Sequence, residues 1–336
     1  MPAIAPIIPD CVIQVSHLCD VDGRRNKAHQ VYWIRGLQEH RGMSEFVHNP
    51  IPAFKNALLP KAFHAQPQGE LLGRSGTLEV RLAASPKDIK RAQKLRYRVF
   101  YGEMSAMPDL KSWLKQRDID PFDAICDHLL VIDTAAAGKN PGKPKVVGTY
   151  RLLRQEVAAR HGGFYSAQEF NIAPMLEAQP HLRFLELGRS CVEQSYRDKR
   201  TVELLWHGIW AYVRRHSIDV MFGCASFEGT DPEQLALPLS FLHHHMRAEP
   251  QWQIRALPKQ AVSMDRLDPA RIDAKKAIHA MPPLIKAYLR IGARFGDHAV
   301  IDHQFGTTDV LVILPVSDIH PKYVGYFGAE GTRYAA

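Results

Sequence analysis

With 336 residues, 46% of them hydrophobic, the chain carries enough apolar mass for a substantial core. No uninterrupted apolar run reaches about 18 residues, which argues against a membrane-spanning helix, and the opening MPAIAPIIPDC lacks the basic region of a secretory signal. The net charge of +8 favours acidic partners, and five scattered cysteines without a CxxC fit reduced thiols better than a disulfide framework.

Residues 1–75 show no sustained period, are rich in proline, and read as an irregular extension; 76–328 read as one domain, followed by a short tail, 329–336. TLEVRLA alternates and predicts a strand. In SPKDIKRAQKLRYRVFYGEM, Ser85 suits an N-cap and Pro86 the first helical position. Ile89, Ala92, Leu95 and Val99 recur at helical spacing, so a helix is expected. The acidic connection KQRDIDPFDAICD leads to DHLLVID and, after a turn-rich stretch, to KVVGTYRLL, a hairpin. Loop and short helix follow over 155–180, then the strand LRFLELGRSCV. The helix DKRTVELLWHGIWAYVRRHS ends in basic residues that suit its negative terminus. DVMFGCASF predicts a strand. A helix is expected from Asp231 and Pro232 through SFLHHHM, and 250–280 reads as irregular. PPLIKAYLRIGARF predicts a helix and TTDVLVILPV a last strand. A mixed α/β sheet with helices on its faces is the expected architecture.

This order resembles the GNAT N-acyltransferase fold. LRYRVF, DIDPFDAICD, the strand ending YRLL and ELGRSCV are similar to the acyl-homoserine-lactone synthases. Closer still is the resemblance to the bacterial ornithine-acyl-carrier-protein N-acyltransferases of ornithine-lipid synthesis. It is carried by LGRSGTLEVRLA, LRYRVFYGEMSA, FDAICDHLLV, ELGRSCV, RTVELLWHGIWAYV, GCASFEGTDPEQLALPLSFLHHH, PPLIKAYLRIGARFGD and FGTTDVLVILPV, across roughly 72–328. What the resemblance implies is transfer of a 3-hydroxy fatty acyl group from acyl carrier protein to the α-amine of L-ornithine, giving lyso-ornithine lipid. The enzyme would be cytoplasmic, peripheral at the inner membrane and in contact with anionic lipid. It would need no cofactor beyond the acyl-phosphopantetheine of its donor. Acylation of another amino acid, lactone synthesis, and a non-catalytic membrane-surface protein are the alternatives. No basic motif interleaved with aromatics suggests nucleic acid.

Within LELGRSCV, a carboxylate, a glycine and a guanidinium interrupt a buried strand. Alternation would send Glu186 and Arg189 to opposite faces, and a bulge permitted by Gly188 would bring them together. Glu186 is then the candidate base for the amine and Arg189 its partner, or the two form a structural ion pair. The resemblance to the lactone synthases marks Arg96, Arg151, Asp123 and Asp127 as acceptor-binding, with Asp120 in place of one aspartate if the alignment shifts a step. Arg197, Lys199 and Arg200 stand where GNAT enzymes cradle coenzyme A pyrophosphate. Because Arg200 and Val202 replace small residues there, the basic cluster suits acyl carrier protein instead. His243, His244 and His245 lack a second ligand cluster, so no metal is expected. Lys286, Arg290 and Arg294 edge a helix that could lie on anionic lipid or simply pack on the core.

Overall fold

The structure, a computed structural model, describes residues 69–104, 106–136, 144–252 and 254–327. Its strands are β1 (Leu71–Ser75), β2 (Leu78–Leu82), β3 (Asp127–Asp133), β4 (Lys145–Arg154), β5 (Phe170–Asn171), β6 (Phe184–Val192), β7 (Val220–Glu228), β8 (Arg255–Ala256), β9 (Ala261–Ser263), β10 (Arg294–Asp302) and β11 (Thr307–Pro315). The helices are α1 (Pro86–Tyr97), α2 (Leu110–Lys115), α3 (Gln155–Ala158), α4 (Ala173–Ala178), α5 (Lys199–His216), α6 (Ala236–His245), α7 (Ala274–Ala280), α8 (Pro283–Ile291) and α9 (Pro321–Phe327). A mixed sheet runs β1-β2-β3-β4-β6-β7-β11-β10-β9, antiparallel except where β6 meets β7, and β5 pairs with β8 separately.

Side-chain period assigns each face its helix. In β3, Leu129 and Val131 join the core under α5, with Leu204, Leu205, Ile209 and Val213. Leu130 and Ile132 point the other way, to Ala92, Leu95 and Val99 under α1. As the sequence suggests, α1 starts with Pro86, and the Ser85 side chain accepts the Asp88 N–H at 3.2 Å. It runs on into a π-helix, Arg98–Glu103.

Two backbone features shape the middle of the sheet. Against β4, Thr149 pairs with Cys191 but Arg151 with Gly188, so Arg189 and Ser190 stand opposite Tyr150 alone. The expected bulge is present, but the left-handed residue is Arg189, at φ 48, and not Gly188. Beside it, β6 and β7 pair only over Phe184–Glu186 and Val220–Phe222 and then part. At the parting point a Cβ on Gly223 would lie 2.2 Å from the Leu187 carbonyl oxygen, so this close approach requires glycine.

Several expectations need correction. Leu71–Ser75, placed in the irregular extension, is an edge strand; residues 1–68 of that extension and the tail 329–336 lie outside the described residues. α6 begins at Ala236 rather than Pro232, because Pro238 has no N–H and is tolerated only in a helix's first turn. The helix expected through Phe295 stops at Gly292, φ 104, and Arg294 already belongs to β10. The stretch 250–280 holds β8, β9 and α7. On α8, Ile285, Tyr288 and Ile291 are buried in the core and Lys286 Nζ donates to the His279 carbonyl at 2.8 Å, so its apolar face is occupied by the protein itself.

Candidate active site

Arg96, from α1, is wholly buried. Its guanidinium takes Asp123 with both terminal nitrogens, at 2.8 and 2.7 Å, and Asp118 with Nε at 2.7 Å. Arg151, from β4, pairs with Asp120 at 2.8 Å and reaches Asp123 at 3.5 Å. Arg189, raised by the bulge, meets Asp120 at 3.0 Å and Asp118 at 3.4 Å. Three arginines and three aspartates thus form a closed, charge-balanced network over the α1 face of the sheet. Gln93 and Arg117 tie its edge to α1, through 2.8 Å to Asp123 and 3.3 Å to Gln93.

The network sets the ionisation of its members. Burial alone would raise the Asp123 carboxyl, but the Arg96 charge and hydrogen bonds hold it well below the usual carboxylate range. His128, whose ring contacts the Asp123 carbonyl at 3.0 Å, is pushed down to about 4, chiefly by burial.

Asp127 is not part of this arrangement. At the start of β3 it shares the face of Leu129 and Val131, and its carboxylate accepts the Tyr212 hydroxyl at 2.6 Å under α5. Asp120, the one-step alternative, occupies the place expected for it, and Asp118 joins unforeseen.

Glu186 and Arg189 share a face but form no ion pair. Glu186 accepts the N–H groups of Tyr165 at 2.8 Å and Ser166 at 2.7 Å, and the Ser166 hydroxyl. It thereby clamps the turn Tyr165–Gln168 to β6. Burial raises its carboxyl, and these three hydrogen bonds oppose the rise. Arg189 instead donates to the Tyr165 hydroxyl at 3.3 Å and lies 4.8 Å over the rings of Tyr165 and Phe305. Tyr165 is therefore the link between the two. Gly188 sits over Arg151, where an added Cβ would make only an ordinary contact, 3.9 Å from Nε.

Beyond Glu186 the edge of β6 facing β7 has no ladder partner, and the gap between the diverging strands is the candidate cleft. Its floor is the face of Cys224 and Ser226 on β7 and Asp309 on β11, with Glu169 and Asp302 beside them. Cys224 Sγ lies 3.4 Å from Glu169. These residues escaped the sequence reading, although Asp309 carries the same signal as Glu186, a carboxylate inside a buried strand.

At the start of α5, Arg197, Lys199 and Arg200 are exposed. Arg197 bonds the Val192 carbonyl at 3.0 Å and pairs with Glu103, and Lys199 pairs with Glu203 at 3.5 Å. The Asp198 carboxylate caps the helix through the Thr201 N–H at 2.8 Å, an N–H that a phosphate-binding helix end would leave open. His243 and His244 bring ring nitrogens within 4.8 Å of an Asp265 oxygen, a grouping the sequence could not reveal; His244 is bonded to Asp265 at 2.9 Å.

A family model described as an acetyltransferase (GNAT) domain matches residues 95–207, a span that includes the whole arginine–aspartate network and Glu186. A protein of Rhizobium meliloti (strain 1021) named L-ornithine N(alpha)-acyltransferase is 53% identical over 281 residues, covering 84% of this chain and 94% of that protein. Its namesake in Brucella abortus (strain 2308) is 56% identical over 264 residues, covering 79% and 93%. Among solved structures, an N-acyl amino acid synthase from uncultured soil microbes aligns over 72% of this chain and 92% of its own, with a TM-score of 0.38 and 10% identity.

Proposed function

The chain belongs to the L-ornithine N(alpha)-acyltransferase family and is an acyltransferase. From that premise we propose that it moves a 3-hydroxy fatty acyl group from the phosphopantetheine thiol of acyl carrier protein to the α-amine of L-ornithine, releasing lyso-ornithine lipid. The observation that carries this reading is the parting of β6 from β7 beside Arg189, which leaves strand-edge donors and a polar floor around a slot for a thioester.

The α-amine, with a pKa of about 7.7–8.0 against about 10.4 for a side-chain amine, loses a proton to solvent more readily near neutrality. Its nitrogen then bonds the thioester carbon, and N–H groups on the unpaired edge of β6 stabilise the oxyanion. Collapse breaks the C–S bond, and the remaining ammonium proton passes to the departing sulfur. No covalent enzyme intermediate is needed. Arg189, the most solvent-accessible arginine of the network, takes the acceptor's carboxylate. Glu186 acts by positioning Tyr165 and the turn behind it, since two backbone N–H groups and a hydroxyl already occupy its oxygens.

For the donor, Arg197, Lys199 and Arg200 suit the acidic surface of a carrier protein, and Asp198 closes the helix end that would cradle a pyrophosphate. For the membrane, the contact with anionic lipid falls to α2 and the residues before it rather than α8. Met107, Leu110, Trp113 and Leu114 are all more than half exposed, flanked by exposed Lys111 and Lys115.

The test is reconstitution: purified protein, 3-hydroxyacyl carrier protein and ornithine, with free thiol and acylated product followed together. Thiol release with ornithine is expected. Release with another amino acid only would overturn the acceptor assignment, and equal turnover from acyl-coenzyme A would overturn the donor assignment.

A further inference from the structure

A second set of charged groups faces the cleft and takes no part in the arginine–aspartate network. Glu169 ends the turn that Glu186 clamps, Asp302 ends β10, and Asp309 lies on β11 opposite Ser226. Each brings a carboxylate oxygen within 4.8 Å of the other two. Among the described residues, no lysine, arginine or histidine forms an ion pair with any of them. Arg189, the guanidinium whose field reaches Glu169 and Asp309, is committed to Asp118 and Asp120.

The set is built, not incidental to a solvated surface. Asp302 is fixed by accepting the N–H groups of Gln304 at 2.8 Å and Phe305 at 3.0 Å. Asp309 is 7% exposed, and its Oδ1 is wholly buried without a hydrogen-bond partner. The Thr307 hydroxyl beside it is buried too, at 3% exposure, and faces the same carboxylate. An unmade bond at one such atom costs about 1–3 kcal/mol, and three carboxylates gathered without a cation repel one another as well. Burial first, then Asp309 and Asp302, push the Glu169 carboxyl up to about 8; burial pushes Asp309 up to about 6, against the pull of the Thr307 and Ser226 hydroxyls. Cys224, Arg189 and Tyr165 are the other titratable groups facing Glu169. Folding stability gives no reason for such an arrangement. A cationic ligand does.

We propose that Glu169, Asp302 and Asp309 form the receptor for the side-chain ammonium of the acceptor, and so set the enzyme's preference for a basic amino acid. Arg189 stands at the other side of the same cleft, so each charge of a basic amino acid meets its opposite there. The proposal rests on the acyl-transfer reading above and deepens it.

The experiment compares ornithine with 2-aminopentanoate, which has the same carbon chain without the terminal amine, in wild type, Glu169→Gln and Asp309→Asn. The wild type is expected to favour ornithine in kcat/KM. Either variant should shrink that ratio by roughly tenfold to hundredfold, the worth of one charged hydrogen bond. A loss shared equally by both acceptors would overturn the proposal, since a structural group or a proton acceptor for the α-amine serves both. A wild type indifferent between the two would also overturn it while leaving acyl transfer intact. So would activity abolished by a chelator and restored by a divalent ion, which would make the carboxylates a metal site. Melting without donor is the second readout. Asp309→Asn should melt no lower than wild type, having lost a repulsive charge, but should lose the upward shift that ornithine causes. Should wild type acylate neither compound, the function reading falls, and that ornithine-dependent shift still decides the receptor.

Discussion

Arg96 binds two aspartates from a position without solvent access, and the cost of desolvating its charge is met by four contacts of the planar guanidinium fork. Removing one partner from such a network costs about 3–5 kcal/mol, because the survivor stays buried and charged. On the function proposed above, Arg96 and Asp123 therefore organise the site while the less buried Arg189 meets the ligand. His128 makes the same environment measurable. Its folded pKa of about 4 lies below the ordinary 6.5, so between these values the unfolded chain binds the extra proton and folding weakens as pH falls. The His128 contribution to stability should drop by ~3 kcal/mol from pH 7 to pH 4, against the opposite trend of the raised Glu169 and Asp309 carboxyls. Relative to His128→Gln, which keeps a donor for the Asp123 carbonyl, the wild type should lose urea midpoint as pH falls across that window. Identical pH slopes in the two proteins would refute the assignment.

At the scale of elements, the cleft depends on how two strands are made to separate. Gly223 lets β7 approach the Leu187 carbonyl, after which the register ends and the strands diverge. Gly223→Ala forces a Cβ into that carbonyl and should destabilise by about 1–3 kcal/mol, with activity falling further than stability as the cleft changes width. Gly188→Ala meets nothing closer than 3.9 Å and should keep both. Comparing melts and turnover of the two alanine variants checks this. If Gly188→Ala were the more damaging, the bulge would depend on glycine after all. The left-handed strain is carried by Arg189 instead, held there by two aspartates and two aromatic rings.

For the molecule as a whole, the net charge of +8 and the exposed apolar residues around α2 are the two features on which the proposed contact with an anionic surface rests. Sedimentation with phosphatidylglycerol vesicles should show binding that weakens with salt. Trp113→Ser with Leu114→Ser should abolish it while turnover of soluble substrates persists. Reversing Lys286 and Arg290 on α8 should matter little. The opposite pattern would return the lipid contact to α8. Among the described residues no helix is long and apolar enough to cross a membrane.

The sequence by itself determined the main elements and their order, because these rest on local signals: alternation in β2, short apolar runs in β3 and β6, and the Ser85–Pro86 start of α1. It also marked Glu186 and Arg189 as polar interruptions of a buried strand, while Arg96, Asp123 and Arg151 were marked by the family resemblance of their motifs. Only the tertiary structure decided their partners. A one-residue bulge gave Arg189 to Asp118 and Asp120 rather than to Glu186, and strand parity sent Asp127 to the far side of the sheet. It likewise gathered Glu169, Asp302 and Asp309 from three distant segments into one corner of the cleft. Charge pairing is a property of distances in space, and in a chain that lays nine strands into one sheet those distances are fixed by register, not by spacing in sequence.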